Sequence, residues 1–290
     1  MQNKNIERTS TRAFSDVPIS ATAISLIKSI LLKSNPGIFG HVYTIRLIQN
    51  DFVKKNRIKK ISAYGAITGK PAYIFSVSSH KKYALIDYAY CLENLVIELT
   101  DSGIDSIWLG GMYKKRKLKK LFRLKDHDMI PAVIAIGNGK ISTKTVSSSE
   151  QSRHRLSFGV VFFDLTIGKP LTMDHAGEFA DVLEAVRIGP SFKNLQPWTI
   201  VQDTDNPTET SSPTSSNTKM VTGVKISTSS RRYHFYIKNH KISDQKHMDI
   251  GIALSHFDYM RKAKKLKGHF EILDGLDVPD YEYVATFKVL

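Results

Sequence analysis

Residues 190–198, PSFKNLQPW, place Ser191, Asn194 and Gln196 in one nine-residue stretch stiffened by Pro190, Pro197 and Trp198. Neutral donors and acceptors on a rigid loop suit a flat, polar organic ligand better than a metal ion, which favours carboxylate, thiolate or imidazole ligands. Near the N-terminus, RTSTRAF (8–14) alternates Arg8, Ser10 and Arg12. In an extended segment alternate side chains share a face. Two guanidiniums and a hydroxyl could then close on one phosphate through charge-assisted hydrogen bonds. Taken alone, the segment reads better as a frayed basic terminus. A third stretch, GIDSIWLGG (103–111), ends in Gly110 and Gly111 after an apolar run. Without Cβ atoms that pair allows close backbone approach to a ligand, although a plain turn explains it equally well.

Other chemistries lack their signatures. The chain has no GxGxxG, no Walker loop, no GxSxG elbow and no HExxH, so dinucleotide-fold, P-loop, serine-hydrolase and zincin readings have no support. His234, His240 and His247 fall in a Lys-rich strand-then-loop region and are expected at the surface. The single cysteine, Cys91, excludes an intrachain disulfide and a Cys-based zinc site. Its setting, LIDYAYCLENLVIEL, predicts a buried structural thiol.

The elements that must position these residues follow from periodicity. Helical spacing predicts a helix over 19–34, with Ser20 as N-cap and Pro36-Gly37 as stop. Strands are expected over 41–49, 71–79 and 130–137, and in SIWLGG, with a buried helix over 85–103 and an amphipathic one at KKRKLKKLFRL. The polar segment 138–152 reads as a linker. A second series then begins: a helix over 174–189, the strand TIVQ, a strand over 231–238, a helix over 248–265 and a strand over 281–289. The order helix, strand, strand, helix, strand thus occurs twice, dividing the chain into halves 1–150 and 151–290. The Ser/Thr/Pro-rich segment 203–219 is expected to be a mobile insertion.

Composition sets the outer bounds. With 290 residues, 41% of them hydrophobic, the chain can bury a sizeable core unaided. No apolar run approaches the roughly 20 residues of a membrane span, and the start lacks the apolar core of a signal peptide, so a cytoplasmic protein is expected. The net charge of +15 is the outlier. It is concentrated in 54–60, 114–120 and 261–267 and points to anionic ligands. The last two runs sit in helical context, where solvated faces are expected, and no nucleic-acid motif accompanies them.

Together the three chemical stretches resemble the FMN-dependent nitroreductase family. RTSTRAF is similar to that family's Arg-x-Ser-x-Arg/Lys segment, PSFKNLQPW to its Pro-Ser-x-x-Asn-x-Gln-Pro-Trp loop, and GIDSIWLGG to its glycine-bearing loop on the flavin face. The first-half counterpart of the nine-residue loop, NPGIFGHVYTI (35–45), keeps Pro36 but has lost the Ser, Asn, Gln and Trp. The chain therefore resembles the family's duplicated, single-chain branch. That resemblance implies an α+β fold of two tandem halves with mixed or antiparallel sheets, forming an intramolecular pseudo-dimer that works as a monomer.

The same resemblance implies one retained FMN site shared between the halves. Arg8 and Ser10 would hold the phosphate, and Arg12 the phosphate or the pyrimidine edge. The backbone of Leu109, Gly110 and Gly111 would approach flavin N5. Pro190, Ser191 and Asn194 would line the flavin, and Arg153 or Arg155 would close the phosphate pocket. The implied activity is NAD(P)H-dependent reduction of small nitroaromatic- or quinone-like acceptors, with the basic charge leaning to NADPH and no catalytic side chain required. The rivals are an FMN-binding protein without turnover and, from a different class, a basic nucleic-acid-binding protein on this fold.

Overall fold

A computed structural model describes residues 8–33, 36–49, 52, 55, 61, 67–140, 154–204, 231–238 and 243–290. Most of the expected linker, most of the insertion at 203–219, all of 54–60 except Lys55, and Arg153 and His240 lie outside the described residues.

The first half runs α1 (Ala21–Leu32), β1 (Arg46–Ile48), β2 (Ala72–Phe75), α2 (Lys82–Asp101), β3 (Asp105–Leu109), α3 (Lys115–Leu121) and β4 (Val133–Gly137). Ser20 caps α1 as expected, its Oγ accepting from the Ala23 N–H at 3.2 Å. The sheet is antiparallel in the order β1-β2-β4-β3. β4 is buried on both faces: Ile134 and Ile136 join one core cluster, Val133 and Ala135 another. A strand covered on both sides reads as a continuous apolar run.

The second half runs α4 (Phe158–Val161), β5 (Phe162–Asp164), α5 (Met173–Ala176), a 3-10 turn (Gly177–Phe179), α6 (Ala180–Ile188), β6 (Trp198–Thr204), β7 (Arg231–Lys238), α7 (Asp244–Ala263), β8 (Gly268–Glu271) and β9 (Tyr281–Val289). Its sheet has the order β5-β6-β7-β9-β8, with β5 parallel to β6 and the other pairs antiparallel. Setting β5 aside, β6-β7-β9-β8 repeats β1-β2-β4-β3 strand for strand. The fold is α+β with two topologically matched sheets.

The halves share one core. Ile86 and Leu92 of α2 belong to the same buried cluster as Ile250 and Phe257 of α7. The two helices approach so closely that a Cβ on Gly251 would drive into the Ile86 carbonyl oxygen. Among the described residues no helix is long and apolar enough to cross a membrane.

Several expected elements need correction. The helix over 174–189 is broken, because Gly177 adopts φ +57° between α5 and α6, a conformation that side-chain-bearing residues avoid. The strand over 41–49 shrinks to Arg46–Ile48, since His41 is bound into a turn. α7 begins at Asp244 rather than 248, where the Ser243 side chain caps it. Two short strands, β5 and β8, escape periodicity altogether. His234 is not at the surface: it is 4% exposed, with Nδ1 2.8 Å from Thr286 Oγ1. The His247 side chain is likewise mostly covered.

Candidate functional site

The three chemical stretches converge at the junction of the two halves. Segment 8–14 runs beside β3: the Thr11 N–H donates to the Ser106 carbonyl at 3.0 Å, and Ser10 forms an isolated bridge with Ser106. Beyond β3, Gly110 faces the nine-residue loop of the other half, where a Cβ would stand 3.3 Å from the Phe192 ring. A strand end in one half therefore abuts a loop of the other.

Arg8, Ser10 and Arg12 do not share one exposed face. Ser10 and Arg12 are exposed, whereas Arg8 is 7% exposed and turns inward. Its Nε lies 3.7 Å from Glu93 Oε1 on α2 and makes no hydrogen bond, while its Nη1 reaches Ser10 Oγ at 3.5 Å. Glu93 is fully buried. It also accepts from Trp108 Nε1 of β3 at 2.6 Å and from His256 Nε2 of α7 at 2.9 Å. One carboxylate thus joins the N-terminal segment, the first sheet and the second half. Burial lowers the Arg8 pKa, and Glu93 partly restores it.

The nine-residue loop is held by its own polar groups. The Gln196 N–H donates to Ser191 Oγ at 2.9 Å, and Gln196 Nε2 donates to the Asn194 carbonyl at 3.0 Å. Asn194 Nδ2 donates to the His154 carbonyl at 2.6 Å, while Asn194 Oδ1 accepts from Arg155 Nη1. Arg155 also donates twice to the Ile188 carbonyl, at 3.2 and 2.9 Å. Lys193, Asn194 and Gln196 all carry positive φ, +51°, +59° and +47°. Three non-glycine residues in that region amount to stored strain, a feature that gathers at ligand clamps. Pro197 and Trp198 are buried, as expected of residues that shape the loop without facing ligand.

Arg155 has its pKa lowered to about 10, first by burial and then by repulsion from Arg8 and Arg187. Arg187 is neutralised by Glu184 at 2.6 Å, and Arg8, from the opposite half to Arg155, has Glu93 as its counter-ion. Exposed Ser10 and Arg12 and the bare Gly110–Gly111 backbone are the donors and open space that a phosphate-bearing planar cofactor such as FMN would use. Among the described residues no group of His, Cys, Asp and Glu could hold a metal.

Leu109 is buried at the end of β3, and Pro190 and Ser191 are half-buried at the loop's start. The structure brings Ser10, Gly110 and the loop to one junction, and ties Arg155 to Asn194 of that loop. The sequence reading missed Glu93, His256 and a second buried carboxylate, Asp249, whose Oδ1 accepts from the Phe192 N–H at 2.8 Å. Their available signal was an ionisable residue inside an otherwise apolar helix, in LENLVIEL and MDIGIAL. Two clefts among the described residues lie elsewhere. One of about 230 Å³ is lined by His80, Lys115 and Lys119, and one of about 450 Å³ by Lys82, Tyr83 and Asp274.

The fold defines a two-sheet α+β protein in which an N-terminal segment, the end of β3 and the 190–198 loop meet at one junction. The chain belongs to the nitroreductase family described as "Putative TM nitroreductase", whose model matches residues 3–261. Among solved structures, it is similar to a "putative nitroreductase" of Thermotoga maritima (16% identity, TM-score 0.56), covering 100% of this chain and 94% of that one. An "FMN-dependent Nitroreductase" of Clostridium difficile aligns at 12% identity and TM-score 0.40, covering 53% of this chain and 95% of its own. A "putative NAD(P)H:FMN oxidoreductase" of Staphylococcus epidermidis aligns at 14% identity and TM-score 0.38, covering 46% and 83%. No curated protein is detectably similar to the chain.

Proposed function

We propose that this nitroreductase-family oxidoreductase binds one FMN between its halves and passes electrons from NAD(P)H to small nitroaromatic- or quinone-like acceptors. We assign the halves to residues 1–150 and 151–290, a tandem duplication acting as its own pseudo-dimer. The observation that carries the reading is the meeting of the Gly110 end of β3, along which segment 8–14 runs, with the Phe192 ring of the 190–198 loop in the other half.

FMN, when bound, supplies the two-electron chemistry between nicotinamide and acceptor. The chain supplies position and charge. Arg8 and Arg155 would offset a phosphate's charge from opposite halves. Ser10 donates its hydroxyl to the same group, and Arg12 adds a cation at the phosphate or the pyrimidine edge. Arg153, outside the described residues, belongs to the same expected cluster. Leu109, Gly110 and Gly111 present backbone, and the missing Cβ atoms let a planar ring lie close. Pro190, Ser191 and Asn194 line the opposite side, held by the loop's internal hydrogen bonds. The extra phosphate of NADPH suits a chain of this charge.

The test is a visible spectrum of the purified protein after incubation with FMN and desalting, followed by steady-state NAD(P)H oxidation with a quinone. A retained flavin spectrum that is lost in an Arg8→Ala/Asn194→Ala variant supports one site made by both halves. A protein that stays colourless sinks the reading.

A further inference from the structure

The two long helices carry an aspartate at the same register. Asp87 stands five residues after Lys82, the first residue of α2, and Asp249 five residues after Asp244, the first of α7. Each gathers the loop that precedes the strand pair of its own half, yet the two are not equally satisfied. Asp87 accepts from the Phe39 N–H and the His41 N–H, both at 3.0 Å, and lies 2.8 Å from His41 Nδ1. Asp249 accepts only from the Phe192 N–H, and its Oδ2 has no partner although the residue is 2% exposed.

A buried carboxylate with one neutral hydrogen bond and a bare oxygen costs far more when charged than when protonated. The surrounding charged groups are engaged elsewhere. On α7, Asp244 pairs with His80, His247 with Glu282 and His256 with Glu93. From the loop, the Lys193 ammonium lies over the Phe192 ring at 5.5 Å. From α2, Asp87 is committed to its own turn and Glu93 to Arg8, His256 and Trp108. Burial pushes the Asp249 carboxyl up to about 7, and the Phe192 N–H offsets this only partly. The loop whose Phe192 N–H reaches Asp249 is also the strained one, with positive φ at Lys193, Asn194 and Gln196 and its Phe192 ring against Gly110.

We propose that Asp249 is a proton-dependent positioning residue for loop 190–198: protonated, it holds the loop shut against Gly110, and as a carboxylate it favours an opened loop that hydrates the bare oxygen. The loop is the one that lines the FMN site, so the part of this inference that concerns cofactor release rests on the flavin reading. Opening returns Asp249 to an ordinary carboxylate environment. Raising the pH through neutrality therefore shifts the balance toward the open loop, and cofactor leaves faster.

The experiment follows amide exchange of segment 190–198 in the full-length protein without ligand, corrected for the intrinsic pH dependence. Protection is expected to fall roughly tenfold between pH 6 and pH 8 in the wild type and to stay level in Asp249→Asn. FMN release, followed by flavin fluorescence, is expected to accelerate by a similar factor over that range and to be level in the variant. Titration of the FMN phosphate acts in the opposite sense, since the dianion prevails at higher pH. A wild-type profile without a step overturns the proposal, and needs no variant to do so. A step that persists in Asp249→Asn overturns it as well. If FMN binds at no pH while the exchange step is present and absent from the variant, the flavin reading fails and the role of Asp249 stands.

Discussion

Glu93 of α2 and His256 of α7 meet at 2.9 Å, Oε1 to Nε2, with both side chains removed from solvent. This contact crosses between the halves, and the same carboxylate faces Arg8 and Trp108. Removing its charge leaves the Arg8 guanidinium buried without a counter-ion. Glu93→Gln is expected to lower unfolding stability by about 3 kcal/mol, the scale for breaking a buried pair. Arg8→Met is expected to cost less, because Glu93 keeps His256 and Trp108. Urea titrations of the two variants check the order.

The α2–α7 contact depends on the absence of one side chain. Gly251→Ala places a methyl group into backbone, the Ile86 carbonyl, which has no rotamer with which to retreat. A loss of about 2 kcal/mol is expected, within the range for overpacking. Gly111, with nothing near its missing Cβ, should accept alanine at little cost in stability. Thermal unfolding of both variants decides the comparison.

Stability should respond to pH through Asp249 in a direction unusual for an aspartate. Its folded pKa of about 7 lies above the unfolded value of roughly 3.9. Between those values the folded protein binds the extra proton, so this contribution is present below about pH 4 and lost as pH rises through 7. Asp249→Asn is therefore expected to exceed wild type in stability at pH 8, with the gap closing on acidification. Denaturant midpoints for both proteins across that range test it.

Arg155 is the single side chain that ties the Asn194 amide to the Ile188 carbonyl. Arg155→Ala should weaken FMN binding by roughly ten- to a hundredfold, the scale of a lost charge-assisted hydrogen bond. The same substitution relieves repulsion on Arg8, so the apoprotein should lose less stability than cofactor affinity. Fluorescence titration with FMN, read beside a thermal melt, separates the two effects.

Cys91 sits in the core of α2 with 5% exposure, and burial pushes its thiol up to about 12. Since the thiolate is the reactive form, the native protein should resist iodoacetamide at pH 8. Labelling should appear only with unfolding. Alkylation followed against denaturant concentration, at a rate that tracks the unfolding transition, is the expected result.

Much of this was written into local sequence. The elements 231–238 and 281–289 are legible because apolar and aromatic residues crowd a short run, and α1 because Ser20 and the i, i+3, i+4 spacing of Ile27, Ile30 and Leu31 act within a few residues. The order of elements repeats along the chain for the same reason. The loop at 190–198 carries its own polar network, so its residue types alone mark it as a rigid, polar turn.

What the tertiary structure decided involves residues far apart in sequence. Arg8 alternates with Ser10 and Arg12, and extended geometry alone would have put all three on one face. Glu93, 85 positions away, draws Arg8 inward instead. Neither β5 nor β8 has a pattern of its own, because each is an edge strand defined by the neighbour it pairs with. His234 reads as a surface residue in its Lys-rich setting until β9 brings Thr286 beside it. Asp249 looks like a polar interruption of a helix until the fold surrounds it with apolar groups and leaves one oxygen bare. Short-range periodicity determines elements, whereas burial, charge pairing and strand order arise only when distant segments meet, and at this junction they also determine the site.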